Sequence, residues 1–235
     1  MSENNSKRYA IIVAGGSGKR FGSELPKQFL PLEGKAVLMH TIEKFGQAGA
    51  TIVVVLPAEH QEMWVAMCKE TNFPVTHTIA TGGKTRFESV KNGIAAIEDL
   101  TAGDLVAVHD GVRPLVSLEL INRCFDSAEQ CGSAIPVVNP IDSIRQVNND
   151  GSSKQLLRSS LRAVQTPQTF RAELLKGAYD VVESPLFTDD ASVAEAAGHQ
   201  VTLVEGEVTN IKITTPIDMI IAKELIKNTP HNQTT

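Results

Sequence analysis

Short apolar runs alternate along the chain with longer stretches of mixed apolar and polar residues. The runs at 9–13, 52–56, 105–109 and 134–138 are rich in Val, Ile and Ala, the pattern of strands buried on both faces. Elsewhere apolar residues recur at the helical period, which predicts helices over 36–47, 59–71, 85–99, 117–131, 171–182, 190–197 and 216–227. Strand followed by helix, repeated, builds βαβ units. The expected fold is therefore α/β, a Rossmann-like, twisted, mostly parallel sheet flanked by helices. Such sheets bind ligands beyond the carboxyl ends of their strands. The glycine-rich segment that follows 9–13 and Asp110 that follows 105–109 should share that edge.

Two stretches need a different reading. Residues 139–163 carry Asn139-Pro140, Asn148-Asn149-Asp150-Gly151 and Ser152-Ser153, which is turn chemistry. Ile141 to Val147 and Gln155 to Leu161 are expected to pair around it as a protruding β-arm, in the plainest case a surface hairpin. Further on, Asn210-Ile211-Lys212-Ile213-Thr214 alternates as a strand does, with Ile211 and Ile213 on one side and Lys212 on the other. Thr215, Pro216 and Asp218 then form a helix start with a capping box. Lys212 would project from a rigid strand end, a good mount for a phosphate-binding cation.

Composition narrows the class. A chain of 235 residues suits one domain, and 42% hydrophobic content supports a sizeable core. The net charge of −5 argues against a general nucleic-acid binder, so basic residues near the motifs read as local anion sites. Cys68, Cys124 and Cys131 have no metal or redox spacing and are expected to be reduced core thiols, the last two on one helix face. The polar start has no apolar signal segment, and no apolar run reaches membrane-spanning length. A cytoplasmic protein without a membrane partner is expected. His231 to Thr235 reads as a disordered tail.

The chemistry begins at Ala14-Gly15-Gly16-Ser17-Gly18-Lys19-Arg20. A strand that runs into glycines presents backbone N–H groups, and such concavities bind phosphate. A P-loop is excluded because Gly18-Lys19 is followed by Arg20, with no hydroxyl for magnesium. A dinucleotide fingerprint is excluded because Phe21 occupies the third glycine position. A plain flexible turn would remain, were it not followed by Leu25-Pro26-Lys27-Gln28-Phe29. Arg20 and Lys27 are candidates for stabilising charge in phosphoryl or nucleotidyl transfer. Asp110 suits a magnesium ion or a substrate hydroxyl, and Arg113 can pair with it. His109 should not meet Asp110, because strand neighbours point to opposite faces, and it reads as a satisfied core or edge histidine. Gly82-Gly83 before Arg86 and Ser89 allow close approach to a flat ring, or simply begin a capped helix. Thr188-Asp189-Asp190 reads first as a helix cap.

Taken in order, these segments resemble a known family. Ala-Gly-Gly-x-Gly-x-Arg with Pro-Lys-Gln is similar to nucleotidyltransferases that join a sugar or polyol phosphate to a nucleoside triphosphate. Gly82 to Val90, His109 to Pro114, Gln165 to Gln168, Thr188 to Ser192 and Asn210 to Thr214 resemble the 2-C-methyl-D-erythritol 4-phosphate cytidylyltransferases of the non-mevalonate isoprenoid pathway. The resemblance spans residues 8 to 226. It implies transfer of CMP from CTP to the polyol phosphate, with Mg²⁺ and no covalent intermediate. It gives catalytic roles to Arg20 and Lys27 and makes Lys212 and Arg158 the holders of the acceptor phosphate. It assigns Ala14, Gly15, Gly16, Ser17 and Gly18, with Gly83, Lys84, Arg86 and Ser89, to the nucleotide. Asp110, Arg113, Ser143, Thr166 and Thr188 fall to the acceptor, with Asp110 near the metal. It also implies a homodimer in which the 139–163 arm helps build the partner's site.

There are departures: Val13, Gly111-Val112 and Ser143 stand where the family more often has other residues, and every charged functional position is intact. A ribitol 5-phosphate cytidylyltransferase shares most of the motifs, although Thr188 to Val193 resembles the erythritol enzymes better. A non-catalytic nucleotide-binding regulator is the alternative of another class.

Overall fold

The computed structural model describes residues 6–16 and 25–228. Strand β1 (Arg8–Val13) lies at the centre, buried along most of its length. After it come the short strands β2 (Pro31–Leu32) and β3 (Lys35–Ala36), helix α1 (Val37–Gln47) and strand β4 (Thr51–Leu56). Next are α2 (Ala58–Glu70), β5 (Thr78–Thr81), α3 (Arg86–Ala95), β6 (Leu105–Asp110), α4 (Leu118–Cys131) and β7 (Ser133–Val138). The remaining elements are β8 (Arg145–Val147), β9 (Ser153–Gln155), β10 (Ala163–Val164), β11 (Gln168–Arg171), α5 (Ala172–Ala178), α6 (Asp190–Ala196), β12 (Leu203–Glu205) and α7 (Pro216–Lys227).

Among the described residues, eight strands form one sheet in the order β10-β7-β11-β6-β1-β4-β5, with β12 also pairing β7. The β6-β1-β4-β5 half is parallel throughout. Strand β11 runs antiparallel between β6 and β7. The sheet is thus mostly parallel and flanked by helices, as the alternation predicts. Successive β1 residues point to opposite layers. Tyr9 and Ile11 pack with α3, α5 and α6, whereas Ala10 and Ile12 pack with α1 and α4. Close packing of α3 on the sheet depends on Gly93, where an added Cβ would lie 2.6 Å from Ile11 Cγ2.

The structure corrects several expectations. Residues 210–214 form no strand, because the only ladder-like bond there runs from Ile213 N–H to the Val112 carbonyl, 2.9 Å. The sidedness survives, with Ile211 and Ile213 packed against α7 and Lys212 turned outward. The arm pairs over fewer residues than expected, Arg145–Val147 with Ser153–Gln155. Arg158 to Ser160 instead make a 3₁₀ turn. Cys124 is buried, but Cys131 is exposed and Cys68 half-buried. Cys131 is the last residue of α4, where Gly132 at φ +87° ends the helix, so it overhangs the core rather than joining Cys124 in it. The expected tail at 231–235 lies outside the described residues.

Candidate active site

At the carboxyl ends of β1 and β6 lies a cavity of about 340 Å³. Ala14, Gly15 and Gly16 line one side, with Lys27 and Gln28. Gly83, Lys84, Thr85, Arg86 and Ser89 line another, and Asp110, Val112, Lys212 and Thr214 close the third. Segments far apart in sequence meet here because the parallel ladder aligns their strand ends. Ala14 N–H bonds to Val55 O, Gly82 N–H to Leu56 O and Gly111 N–H to Val13 O, at 2.8–2.9 Å, so each loop leaves the sheet tied to a neighbour. Gly111 is required by this crowding, since a Cβ there would lie 2.9 Å from Leu38 Cδ1 and 3.0 Å from Ala14 Cβ.

Ser17, Gly18 and Arg20 of the expected phosphate cradle lie outside the described residues. Lys27 begins a 3₁₀ turn whose next residue, Gln28, is buried and donates from Nε2 to Ala14 O at 2.8 Å. Gln28 thus ties the cation-bearing turn to the glycine loop. Its signal in the sequence is the Pro26-Lys27-Gln28 segment itself.

The Gly83 loop is built by its own helix. Thr85 caps α3 by accepting from Glu88 N–H, and Glu88 Oε2 accepts from Lys84 N–H at 2.6 Å. Ser89 Oγ accepts from Gly83 N–H at 3.1 Å and donates to Thr85 O at 2.8 Å. A Cβ on Gly83 would collide with the Glu88 side chain, so only glycine fits. The segment is a capped helix start, and it also lines the cavity. The Ser89 hydroxyl, expected to face a base, first of all shapes the loop.

Arg86 is not a free cation aimed at the cavity. Its guanidinium makes a bidentate pair with Asp190, at 2.8 and 2.6 Å, and Tyr179 Oη donates to Asp190 Oδ1 at 2.6 Å. Burial opposes the charge on Arg86, and the Asp190 carboxylate more than offsets this and holds it protonated. Burial, with Asp190 beside it, pushes the Tyr179 phenol up. Asp190, expected to serve a helix dipole, is instead the fully buried partner of this pair. The cap of α6 is Asp189, in a capping box with Ser192.

Asp110 Oδ2 lies 3.0 Å from Lys212 Nζ and 3.1 Å from Arg113 Nε. Burial pushes the Asp110 carboxyl up, but Lys212, Arg86 and Arg113 outweigh it and hold the group well below the usual carboxylate range. Arg113 also donates to Asn210 O at 2.7 Å. Thr166 Oγ1 accepts from Asp110 N–H at 3.1 Å and lies 3.0 Å from His109 Nδ1. His109 is fully buried against Phe45, ring centroids 4.9 Å apart, with its pKa pushed down to about 3 by burial. It is the satisfied core histidine expected, and no dyad forms. Lys212 is mounted not on a strand end but just before the start of α7, where Asp218 accepts from the N–H and hydroxyl of both Thr214 and Thr215. Arg158, Ser143 and Thr188 are exposed and do not line the cavity. Arg158 Nη1 donates to Ile141 O within the arm, 2.6 Å.

Among the described residues, Asp110 is the one carboxylate lining the cavity, and no group of three or more His, Cys, Asp or Glu could hold a metal ion. That donor set fits Mg²⁺ held mainly by substrate phosphates, which asks few carboxylates of the protein.

Residues 9–228 match the profile of the family described as 2-C-methyl-D-erythritol 4-phosphate cytidylyltransferase. The chain belongs to that family. The enzyme of that name from Bacteroides thetaiotaomicron is 52% identical over 222 residues, 94% of this chain and 100% of that protein. The one from Bacteroides fragilis is 50% identical over 93% of this chain and 99% of that protein. Among solved structures, 4-diphosphocytidyl-2C-methyl-D-erythritol synthase from Anaerococcus prevotii aligns with a TM-score of 0.79 at 26% identity, covering 94% of this chain and 99% of that one. The Thermus thermophilus cytidylyltransferase aligns at 0.75 and 31% identity, with the same coverage. As a member of this family the chain is a cytidylyltransferase of isoprenoid synthesis. Among its described residues no helix is long and apolar enough to cross a membrane.

Proposed function

We propose that this chain carries out its family's reaction, transfer of CMP from CTP to the phosphate of 2-C-methyl-D-erythritol 4-phosphate, at the cavity over β1 and β6. The observation that carries this reading is the meeting of three kinds of surface on one strand-end edge. There are glycine-loop amides at Ala14–Gly16, a shaped loop at Gly83–Ser89, and the Lys27, Asp110 and Lys212 charges. An acceptor phosphate oxygen attacks the α-phosphorus in line, the bond to the bridging oxygen breaks, and pyrophosphate leaves. The nucleophile is already an anion, so positioning and charge stabilisation suffice.

The triphosphate lies along the glycine loop, with Lys27 beside it, and the family resemblance gives Arg20 the same task of meeting phosphate charge. The cytosine lies against Gly83, Lys84 and Ser89. Arg86, tethered by Asp190, fixes that loop from behind. Asp110, Arg113 and Thr166 take the polyol, with Thr188 and Ser143 as outer contacts. Lys212 and Arg158 hold its phosphate. Mg²⁺, when bound, would neutralise triphosphate charge, and Asp110 is the carboxylate among the described cavity residues that would hold it.

The assembly in this reading is a homodimer. Support comes from the arm, where Ile141, Val147 and Leu157 are 80, 70 and 71% exposed and Arg158 stands away from its own cavity. A lone hairpin gains little stability, so it needs a surface to pack against, and two-fold pairing is the commonest solution. A cytoplasmic location agrees with three cysteines that form no disulfide.

The test is pyrophosphate release. CTP with 2-C-methyl-D-erythritol 4-phosphate should turn over, ribitol 5-phosphate should be a poor acceptor, and ATP should be rejected because a pyrimidine-shaped site clashes with a purine. Equal turnover with ATP would show that the Gly83 loop does not read the base.

A further inference from the structure

The histidine of the His109-Asp110 pair has no part in the reading above, yet four hydrogen bonds make it one member of a closed ring. His109 Nε2 lies 3.2 Å from Arg113 O. Arg113 Nη1 donates to Asn210 O, 2.7 Å, and Asn210 Nδ2 donates to Thr166 O, 2.8 Å. Thr166 Oγ1 returns to His109 Nδ1, 3.0 Å. A carbonyl only accepts, so Nε2 carries the ring proton and donates to Arg113. Thr166 Oγ1 already accepts from the Asp110 N–H, so its own proton is free to point at Nδ1, which accepts it. Each of the four residues therefore donates to the next, and the ring closes through the covalent frames of Arg113, Asn210 and Thr166, each of which accepts on its backbone carbonyl and donates from its side chain.

The ring joins three segments that are far apart in sequence: the end of β6, Thr166 and Asn210. It encloses the attachments of Asp110, whose N–H donates to Thr166 Oγ1 and whose carboxylate accepts from Arg113. His109 itself lies on the opposite face of β6, against Phe45, and does not line the cavity. It reaches the site only through other residues.

We infer that His109 is a positioning residue for the acceptor, closing as its Nε2–H tautomer the ring that holds Arg113 and Thr166 behind the cavity wall and, through them, the direction in which Asp110 faces the polyol phosphate. This rests on the acceptor assignment made under Proposed function. In that reading CTP is bound mainly by the Ala14–Gly16 and Gly83–Ser89 loops, which the ring does not touch, so the two substrates should respond differently.

The experiment compares His109→Phe, His109→Gln and His109→Asn. Phenylalanine keeps the packing on Phe45 and removes both links. The glutamine amide reaches toward the Nε2 position and keeps a donor for Arg113 O, while asparagine places an acceptor near Nδ1 for Thr166. Steady-state kinetics are run with each substrate varied, and CTP binding is titrated directly. For His109→Phe the acceptor KM should rise about tenfold or more, the loss of one or two buried hydrogen bonds, with the CTP dissociation constant within about twofold. His109→Gln and His109→Asn should each recover part of the loss. Hydrogen exchange at the Asp110 amide should be faster in His109→Phe than in the wild type, a readout independent of turnover.

An acceptor KM unchanged in His109→Phe would overturn the role. So would equal losses for acceptor and CTP with no recovery in the other two variants, since that is a merely structural histidine. If His109→Phe does not fold, the same split is read from the other two variants, and wild-type acceptor KM in both overturns the role. A wild type that releases no pyrophosphate overturns the functional reading itself, and the role with it, whereas an active wild type isolates the fate of His109.

Discussion

The strand-end site and the 139–163 arm contrast sharply in how they are held. At the site, Asp110 is fixed by its N–H, which donates to Thr166, and by Arg113 and Lys212 on its carboxylate, and His109, Thr166 and Asn210 are buried. In the arm, all residues of β8 and β9 are exposed, and the bonds are local ones such as Asn148 N–H to Ser152 O and Arg145 Nε to Ser153 Oγ. The first region is over-determined by segments distant in sequence. The second folds on itself and leaves apolar side chains in water. Charge can be held against burial only where many partners converge, so groups that stay charged while buried, such as Asp110, belong to the first region. A segment with few contacts is suited to gain its partners from another molecule.

The contrast breaks most visibly at the cavity wall. Lys27→Ala should lower turnover by about 10²–10³-fold while CTP binding weakens less, since the lysine meets charge that develops in the transition state. Turnover and CTP titration on the same preparation check this, and near-normal turnover would remove Lys27 from the mechanism. The packing counterpart uses Ile11, fully buried in β1, and Val147, 70% exposed in β8. Ile11→Ala should cost about 2–5 kcal/mol of folding free energy in denaturant melts, by lost burial and a residual cavity. Val147→Ala should stay within about 0.5 kcal/mol, as surface changes do. A large loss for Val147 in dilute solution would mean that the arm is already packed on something, and concentration dependence of that loss would identify a second copy.

Arg158 tests whether the two regions complete each other. Arg158→Ala should lower kcat/KM for the acceptor by about 10–100-fold, the scale of a charge-assisted hydrogen bond. Mixed with Lys27→Ala after subunit exchange, it should recover part of the activity, because one site of the mixed dimer keeps both residues. With exchange verified by mass, activity that stays at the parental level would place Arg158 outside the neighbour's site.

The smallest effect concerns the mount of Lys212. Burial pushes the Asp218 carboxyl up, but the bonds from Thr214 and Thr215 outweigh it and lower its pKa. A carboxyl with a folded pKa below its unfolded one stabilises above the ordinary range, near ~4, and loses that contribution as pH falls through the folded value. Asp218→Asn should therefore melt below the wild type at neutral pH, with the gap closing as the solution is taken to strongly acid pH. A gap independent of pH would show that the carboxylate charge is irrelevant there.

Much of this was legible in the chain. The apolar runs place β1, β4, β6 and β7, and the helical spacing places all seven helices within a few residues at most boundaries, because both signals are local periodicities. The glycine segment, Asp110, Lys212 and the Thr215-Pro216-Asp218 start follow from the same local rules. Strands β5, β11 and β12 were not legible, since short segments become strands only when a neighbour offers its edge. The same reason removed the expected strand at 210–214. What only the tertiary structure decided is partnership. It pairs Arg86 with Asp190 across 104 positions and closes the ring from His109 through Arg113 and Asn210 to Thr166. It also turns Ser89 onto its own loop. A residue's type states what it can bond. Which partner it meets depends on contacts between segments that sequence spacing does not encode.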